Sequence, residues 1–283
     1  MSIDAEEIVQ SGGDLVFGKN AVRAIIESLP GNCSMVFLSE KTPPNERERL
    51  IETCKKAGIG WQVVGAAVID KVCPGVRHQG VVARVLSVEL MDQASFFQNL
   101  AITGGSALVI FVDHVQDPQN LGALARSAEV FGAAGIVIPK RRSALPTSTV
   151  MRTSSGAIAR VPVVGVVNAV RALREFKEKG FWTVGLDHRA EGVLWECEIP
   201  EKTVLVVGSE DRGISRLVRE NCDFLVRIPM VGRTGSLNAA TAGAIGMYEW
   251  NRTVSQDRKS LSRDDRTERK PCRALVDKHR GHG

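Results

Sequence analysis

The sequence predicts an α/β fold in two domains, from its length, its apolar strands and the way those strands alternate with helices. The chain has 283 residues, of which 43% are hydrophobic and 24% are charged. These values are typical of globular proteins and exclude a chain that is disordered throughout. The strand candidates are unbroken apolar runs, which is typical of parallel strands buried on both faces. Helical stretches separate them, which predicts α/β layering.

Residues 14–88 are expected to form a small α/β domain after a flexible N-terminus, residues 1–13. Apolar residues recur with helical spacing from Ala21 to Leu29, directly after the sequence FGKN. A second, charged helix is expected over 46–57. The strands predicted for this domain are 35–38, 61–64 and 80–85.

Residues 89–105 are expected to be a linker with one short helix over 93–100, followed by a second domain over 106–251. The strands predicted for that domain are 107–112, 135–138, 182–186 and 204–207, and the helices are 121–131, 169–179, 215–221 and 237–250. Residues 252–283 contain 10 Lys and Arg against 5 Asp and Glu, so this tail carries the whole formal charge of +5. It is expected to be disordered, either as an RNA contact or as a solvated extension.

Several classes of protein are disfavoured by motifs that the chain lacks. There is no P-loop, no glycine-rich dinucleotide turn after a strand and no nucleophile elbow. No metal-binding spacing occurs, and the six cysteines are scattered, as in a reduced cytosolic protein. No apolar run approaches the roughly 18 residues of a membrane span, and the acidic start is unlike a signal peptide. We therefore expect a cytoplasmic protein without a metal site.

Three segments of the second domain carry the candidate chemistry. Residues 117–128 read DPQNLGALARSA and open a helix, with Asp117 as its cap and Pro118 in its first turn. Residues 208–213 read GSEDRG, where glycines allow the backbone to approach a ligand closely. Residues 228–238 begin with IPMVG and end with SLN. Taken singly, each segment has a structural explanation, such as a helix cap or a carboxylate near a helix dipole.

Together, in this order and spacing, the three segments closely resemble the motifs of the SpoU family of RNA 2′-O-methyltransferases, in the SPOUT superfamily. The FGKNAV sequence at 17–22 and the HQG sequence at 78–80 are similar to the N-terminal substrate-binding domain of that family. The resemblance covers residues 14–251 and implies a SPOUT-type catalytic domain with a trefoil knot, after a small L30e-like RNA-binding domain. The two-domain form with HQG most resembles enzymes that methylate guanosine in 23S rRNA.

The resemblance also implies a cofactor, a partner and a set of site residues. The cofactor is S-adenosylmethionine, bound by Gly208, Glu210, Ile228, Met230 and Leu237. The catalytic candidates are Asn120, Arg126, Glu210, Ser236 and Asn238, and the family works as a homodimer through the catalytic domain. Because a guanidinium stays charged in proteins, we expect Arg126 to bind an RNA phosphate and to stabilise the developing alkoxide.

The reaction implied is methyl transfer to a ribose 2′-hydroxyl of RNA, with 23S rRNA guanosine as the leading substrate. Alternatives are a tRNA guanosine, an adenosine of rRNA, or a non-catalytic RNA-binding or ribosome-assembly protein that kept the fold. Because residues 1–251 have equal numbers of acidic and basic side chains, RNA contact requires local basic patches. The candidates for these are 140–142, Arg152, Arg160 and the tail.

Overall fold

The computed structural model describes residues 5–10, 14–75, 77–85, 90–103, 105–141, 143–232 and 235–260. The chain divides into two compact units. Unit 1 comprises residues 1–89 together with 145–160, and unit 2 comprises 90–144 and 161–283. The domain boundaries given above stay a prediction.

The first part of the chain contains four helices and four strands among its described residues. In chain order they are α1 (Ala5–Gln10), β1 (Asp14–Phe17), α2 (Lys19–Ser28), β2 (Cys33–Ser39), α3 (Pro44–Ala57), β3 (Gly60–Val64), α4 (Ala66–Val72) and β4 (Val81–Val85). The predicted strands and the two predicted helices are confirmed. The short elements α1, β1 and α4 were not predicted.

The remaining elements follow from residue 93 onward. In chain order they are α5 (Gln93–Thr103), β5 (Ala107–Val112), α6 (Pro118–Val130), β6 (Gly135–Pro139), α7 (Ser148–Thr153), β7 (Val163–Val166), α8 (Ala169–Glu178), β8 (Trp182–Leu186), β9 (Gly192–Val193), β10 (Lys202–Val207), α9 (Arg216–Glu220), β11 (Phe224–Arg227) and α10 (Ala239–Ser260). Every predicted strand and helix of this part is present, and α7, β7, β9 and β11 are additional.

Unit 1 is built on a four-stranded sheet of order β1-β4-β2-β3. Strand β4 runs antiparallel to β1 and β2, whereas β2 and β3 are parallel. The apolar positions that predicted α2 are buried, since Val22 and Ile25 are fully covered. A core cluster lies under the sheet and contains Ile8, Phe37, Val64, Ile69, Cys73 and Val82.

Unit 2 is built on a seven-stranded sheet of order β7-β6-β5-β10-β8-β11-β9, and every strand pairing in it is parallel. The parallel sheet expected from the unbroken apolar runs is therefore confirmed. Five of the six residues of β5 are buried, and the first is partly buried. The carboxyl ends of parallel strands meet at one edge of a sheet, which is where ligands bind in open α/β folds.

The segment expected to be a linker contributes to the core of unit 2. The ring of Phe96 on α5 is 1% exposed and lies 6.2 Å from the ring of Phe176, edge to face. An edge-to-face pair of this kind is favourable beyond the area it buries. Helix α5 is therefore packed as a structural part of unit 2.

Helix α10 packs closely through its small residues. A Cβ at Gly243 would lie 2.4 Å from Cδ2 of Leu124, and one at Gly246 would lie 2.9 Å from Cδ2 of Leu205. These glycines therefore serve packing inside the unit. The helix continues to Ser260, into the predicted tail, and Thr253 is buried there. Residues 261–283 lie outside the described residues.

Among the described residues, no helix is long and apolar enough to cross a membrane. No group of three or more His, Cys, Asp or Glu within the described ranges could hold a metal ion.

Five cysteines in the described part of the chain are free thiols and buried. Desolvation raises the pKa of Cys33, Cys73 and Cys222 to about 12. These three thiols are therefore protonated at neutral pH.

Candidate active site

The first catalytic segment follows β5 and starts helix α6. Asp117 caps the helix, because its Oδ1 accepts a hydrogen bond of 2.9 Å from the backbone N–H of Gln119. Pro118 occupies the first turn, where its missing N–H costs nothing. The predicted cap is thus confirmed. Asn120 follows in the same turn with its side chain half-buried.

Asn238 connects the first turn of α6 to the loop after β10. Its Oδ1 accepts hydrogen bonds from the backbone N–H of Ala240 and of Thr241, so this side chain caps helix α10. The cap fixes which end of the amide is oxygen, and the NH2 group must therefore point the other way. It donates to Oδ1 of Asn120 at 2.8 Å and to Oε2 of Glu210 at 3.1 Å. The structure thus brings together three of the predicted catalytic residues.

The loop that carries Glu210 is closed tightly by its own backbone. Ser209 and Gly213 exchange two backbone hydrogen bonds of 3.1 and 2.8 Å. Gly208 precedes this turn with no room for a side chain, since an added Cβ would lie 2.1 Å from the carbonyl carbon of Gly213. Gly213 has φ +65°, which glycine adopts without strain. This compact loop, residues 209–213, is called the shared loop below.

A cavity of about 350 Å³ lies on one side of the shared loop and is called the cofactor cavity. Its volume is within the range of about 300–1,000 Å³ that is usual for small-molecule sites. Its wall combines backbone and apolar side chains with charged side chains from the end of β8 and from the shared loop, and Gly208 leaves the backbone open to a ligand. All five residues predicted to bind the cofactor line it: Gly208, Glu210, Ile228, Met230 and Leu237.

A second and larger cavity, of about 1060 Å³, lies on the other side and is called the polar cavity. It is lined by the shared loop, by Asn120 and by polar or charged side chains such as Gln116, Arg212 and Arg216. Glu210 lines both cavities. The amide network of Asn238 therefore lies where the two cavities adjoin.

The two remaining catalytic candidates lie apart from this network. Ser236 is exposed and lines the cofactor cavity. Arg126 is on the exposed face of α6 and lines neither cavity. On a helix, a residue six positions from Asn120 is displaced by about 9 Å along the axis and about 120° around it. The structure thus places Arg126 on α6 without a described contact to Asn120, Glu210 or Asn238.

Two buried carboxylates near the cavities were not singled out from the sequence. Asp113 is fully buried, and it accepts hydrogen bonds from the backbone N–H of Ser215 at 2.7 Å and from Nδ1 of His114 at 2.6 Å. Asp187 follows β8 and is 3% exposed. Burial raises the pKa of Asp187, but hydrogen bonds and charge from Arg189 outweigh burial and lower that pKa. The signal available from the sequence was a carboxylate directly after an apolar strand.

Comparison with known proteins gives consistent matches. The model of the SpoU rRNA Methylase family matches residues 107–248. A second model, described as RNA 2′-O ribose methyltransferase substrate binding, matches residues 15–91. The two matches together cover most of the chain and correspond to the two groups of motifs in the sequence.

Two curated relatives are similar over most of both chains. A TrmH family tRNA/rRNA methyltransferase of Bacillus subtilis is 40% identical over 238 residues, 83% of this chain and 94% of the relative. A 23S rRNA (guanosine-2′-O-)-methyltransferase of Xylella fastidiosa is 39% identical over 234 residues, with the same coverage. Among solved structures, the SpoU methyltransferase AviRb of Streptomyces viridochromogenes, in complex with AdoMet, superposes with a TM-score of 0.72 at 22% identity. It covers 88% of this chain and 93% of that one, and it supports the fold.

Proposed function

Because the chain belongs to the SpoU rRNA methylase family, and is thereby an S-adenosylmethionine-dependent RNA 2′-O-methyltransferase, we propose that its substrate is a guanosine of 23S rRNA. The observation that supports methyl transfer at this site is the Asn238 network, which joins Asn120 and Glu210 where the cofactor cavity meets the polar cavity. The Xylella relative, whose name gives this substrate, supports the choice of RNA.

In the proposed mechanism the polar network orients the ribose. The cofactor supplies an electrophilic methyl group. Asn120 accepts the hydrogen bond from Asn238 at its oxygen, so its own NH2 group remains to contact a ribose hydroxyl. Glu210 is held at the border of the two cavities by the same NH2 group. Such fixed contacts lower the barrier by pre-orienting the attacking oxygen.

Arg126 is proposed to act by charge. A ribose 2′-hydroxyl is a weak nucleophile, and negative charge develops on its oxygen as its proton passes to solvent water, ahead of the new O–C bond. A guanidinium cannot take up that proton, but it can bind an RNA phosphate and stabilise the charge. Ser236, at the wall of the cofactor cavity, is proposed to help position the ribose and this arginine.

The protein is further proposed to be a cytoplasmic homodimer that associates through unit 2. Support comes from apolar side chains that stay exposed on α6 and α10, namely Val130 at 67% and Tyr248 at 56%. The ring of Tyr248 lies 6.3 Å from that of Phe131, so the two helices present one apolar surface. The trefoil knot implied by the family stays a prediction.

The test is methylation of defined RNAs with tritiated cofactor. Purified protein is incubated with tritiated S-adenosylmethionine and, separately, unmodified 23S rRNA, 16S rRNA and tRNA transcripts. We expect label in 23S rRNA that is lost with Arg126→Ala, while that variant retains its affinity for the cofactor. Label in tRNA alone would replace the proposed substrate by tRNA. Nucleoside analysis of the product then separates guanosine from adenosine as the methylated residue.

A further inference from the structure

A buried carboxylate and two arginines lie at the rim of the cofactor cavity. Asp187 ends β8 and is almost completely covered. Its Oδ1 accepts from the backbone N–H of Arg189 at 2.9 Å and from Nε at 3.2 Å, and its Oδ2 accepts from Nη2 at 3.3 Å. One residue thus fixes both the backbone and the guanidinium of Arg189.

A second guanidinium reaches the same carboxylate from another element. Nε of Arg219, on α9, lies 3.0 Å from Oδ2 of Asp187. Two permanent positive charges therefore share one buried negative charge, which leaves this group with a net charge of +1. A buried carboxylate between two cations stays ionised at neutral pH, and its pKa is lowered accordingly.

The loop that carries Arg189 is fastened by a further arginine. Nη1 of Arg227, in β11, donates to the backbone oxygens of Ala190 and Glu191 at 2.9 and 3.0 Å. The loop is thus held at both ends without help from a ligand. A side chain that is already ordered loses less conformational entropy when it binds.

Arg189 has hydrogen-bond donors to spare on the cavity side. A guanidinium has five N–H donors, of which Nε and one at Nη2 are used by Asp187. The side chain is half exposed and lines the cofactor cavity. The shared loop, which also lines this cavity, carries the carboxylates of Glu210 and Asp211 together with the guanidinium of Arg212. The formal charge is therefore net positive around Asp187 at the β8 edge and net negative on the shared loop.

S-adenosylmethionine has the complementary charges, since it carries one α-carboxylate together with an ammonium and a sulfonium. We propose that Arg189 binds the α-carboxylate of the cofactor and that Asp187 is the positioning residue that holds its guanidinium for this contact. A planar guanidinium suits this task because it can donate two parallel hydrogen bonds to one carboxylate.

The experiment compares two ligands that differ in the amino-acid part. S-adenosylhomocysteine has the carboxylate, and 5′-methylthioadenosine has the same nucleoside without it. Calorimetric titration of the full chain with each ligand should show S-adenosylhomocysteine binding about 10- to 100-fold more weakly to Arg189→Met than to the wild type. Binding of 5′-methylthioadenosine should not change. Arg171→Ala is the matched control, because Arg171 is an arginine of unit 2 that pairs with Glu175 away from both cavities.

The positioning role of Asp187 has its own measurement. Asp187→Asn should weaken S-adenosylhomocysteine in the same direction as Arg189→Met, again without weakening 5′-methylthioadenosine. If that variant does not fold, Asp187→Glu provides the test, since it keeps the negative charge but displaces the carboxylate that holds the guanidinium of Arg189. Equal loss of both ligands, or unchanged binding of S-adenosylhomocysteine, would overturn the proposal. RNA is absent from the titration, so the result does not depend on which RNA is the substrate.

Discussion

The two cavities of unit 2 share a loop but differ in what lines their other walls. The cofactor cavity is closed by strand ends and by apolar side chains such as Leu186 and Ile228. The polar cavity is about three times larger and has Gln116 and Arg216 in its wall. A small, narrow cavity suits a ligand the size of the cofactor, whereas a wide cavity with arginines in its wall suits a charged polymer. We therefore expect the shared loop to contact both ligands and each outer wall to contact one of them.

The largest loss of activity is expected for a substitution at the border of the two cavities. Asn238→Ala removes the NH2 group that joins Asn120 to Glu210. Without it, Asn120 and Glu210 are no longer held for the ribose, and a displacement of about 1 Å at a reacting centre can lower kcat by about 10²-fold. The measurement is single-turnover methylation of the accepted RNA at saturating cofactor.

Asn238 also caps α10, so a second variant separates the cap from the chemistry. Asn238→Ser keeps an uncharged oxygen that can cap the N–H groups of Ala240 and Thr241, but it has no NH2 group. Its unfolding midpoint should stay near that of the wild type, while its kcat falls as in Asn238→Ala. A wild-type kcat for Asn238→Ser would show that the network is structural.

A substitution in the shared loop is expected to weaken the binding of both ligands, with a smaller effect than that of Asn238→Ala. In Gly208→Ala the new methyl group would overlap the backbone of Gly213 and Ile214. Overpacking of this kind lowers the free energy of unfolding by about 1–3 kcal/mol and shifts the backbone. Cofactor and RNA should therefore both bind more weakly. Gly31→Ala is the control, because no atom lies within 4 Å of the added Cβ. If Gly208→Ala weakened binding of the cofactor alone, the loop would not be shared in function.

The motifs predicted which residues line the cavities, but they could not predict the contacts between those residues. Gly208 and Leu237 could be placed because their segments match a family pattern. The bonds from Asn238 to Asn120 and from Arg219 to Asp187 join positions that are distant in sequence, and only the folded sheet brings them together. The strands β7 and β11, of four residues each, were not predicted from the sequence. Helix α5 was predicted, but its part in the core depends on where Phe96 packs.

Acid should weaken the ion pairs that Asp187 makes at the rim of the cofactor cavity. Because the folded-state pKa of Asp187 lies below its ordinary value of 3.8, this carboxylate stabilises the fold fully above that value. The contribution is lost as the pH falls through the lowered pKa. Urea unfolding at pH 7, 4 and 3 should therefore show the difference between wild type and Asp187→Asn narrowing towards pH 3. As a control, Glu175→Gln removes the ion pair with the exposed Arg171, and the stability it loses should change less with pH. An equal change with pH would contradict the assignment of this pH dependence to Asp187.

The smallest change is expected in the salt dependence of RNA binding when a single arginine of the polar cavity is replaced. Arg216 lines that cavity and pairs with Glu220, one helical turn away, at 2.7 Å. Arg171 is the control, because it pairs with Glu175 in the same i,i+4 arrangement but lines neither cavity. If the polar cavity receives RNA, Arg216→Ala should remove about one phosphate contact. The slope of log affinity against log salt should then fall by about 0.7, the value for one phosphate of a single strand. Arg171→Ala should leave that slope unchanged, and neither variant should alter cofactor affinity, because the outer wall of each cavity serves one ligand. Equal slopes for the two variants would show that RNA passes elsewhere and that the polar wall belongs to another contact.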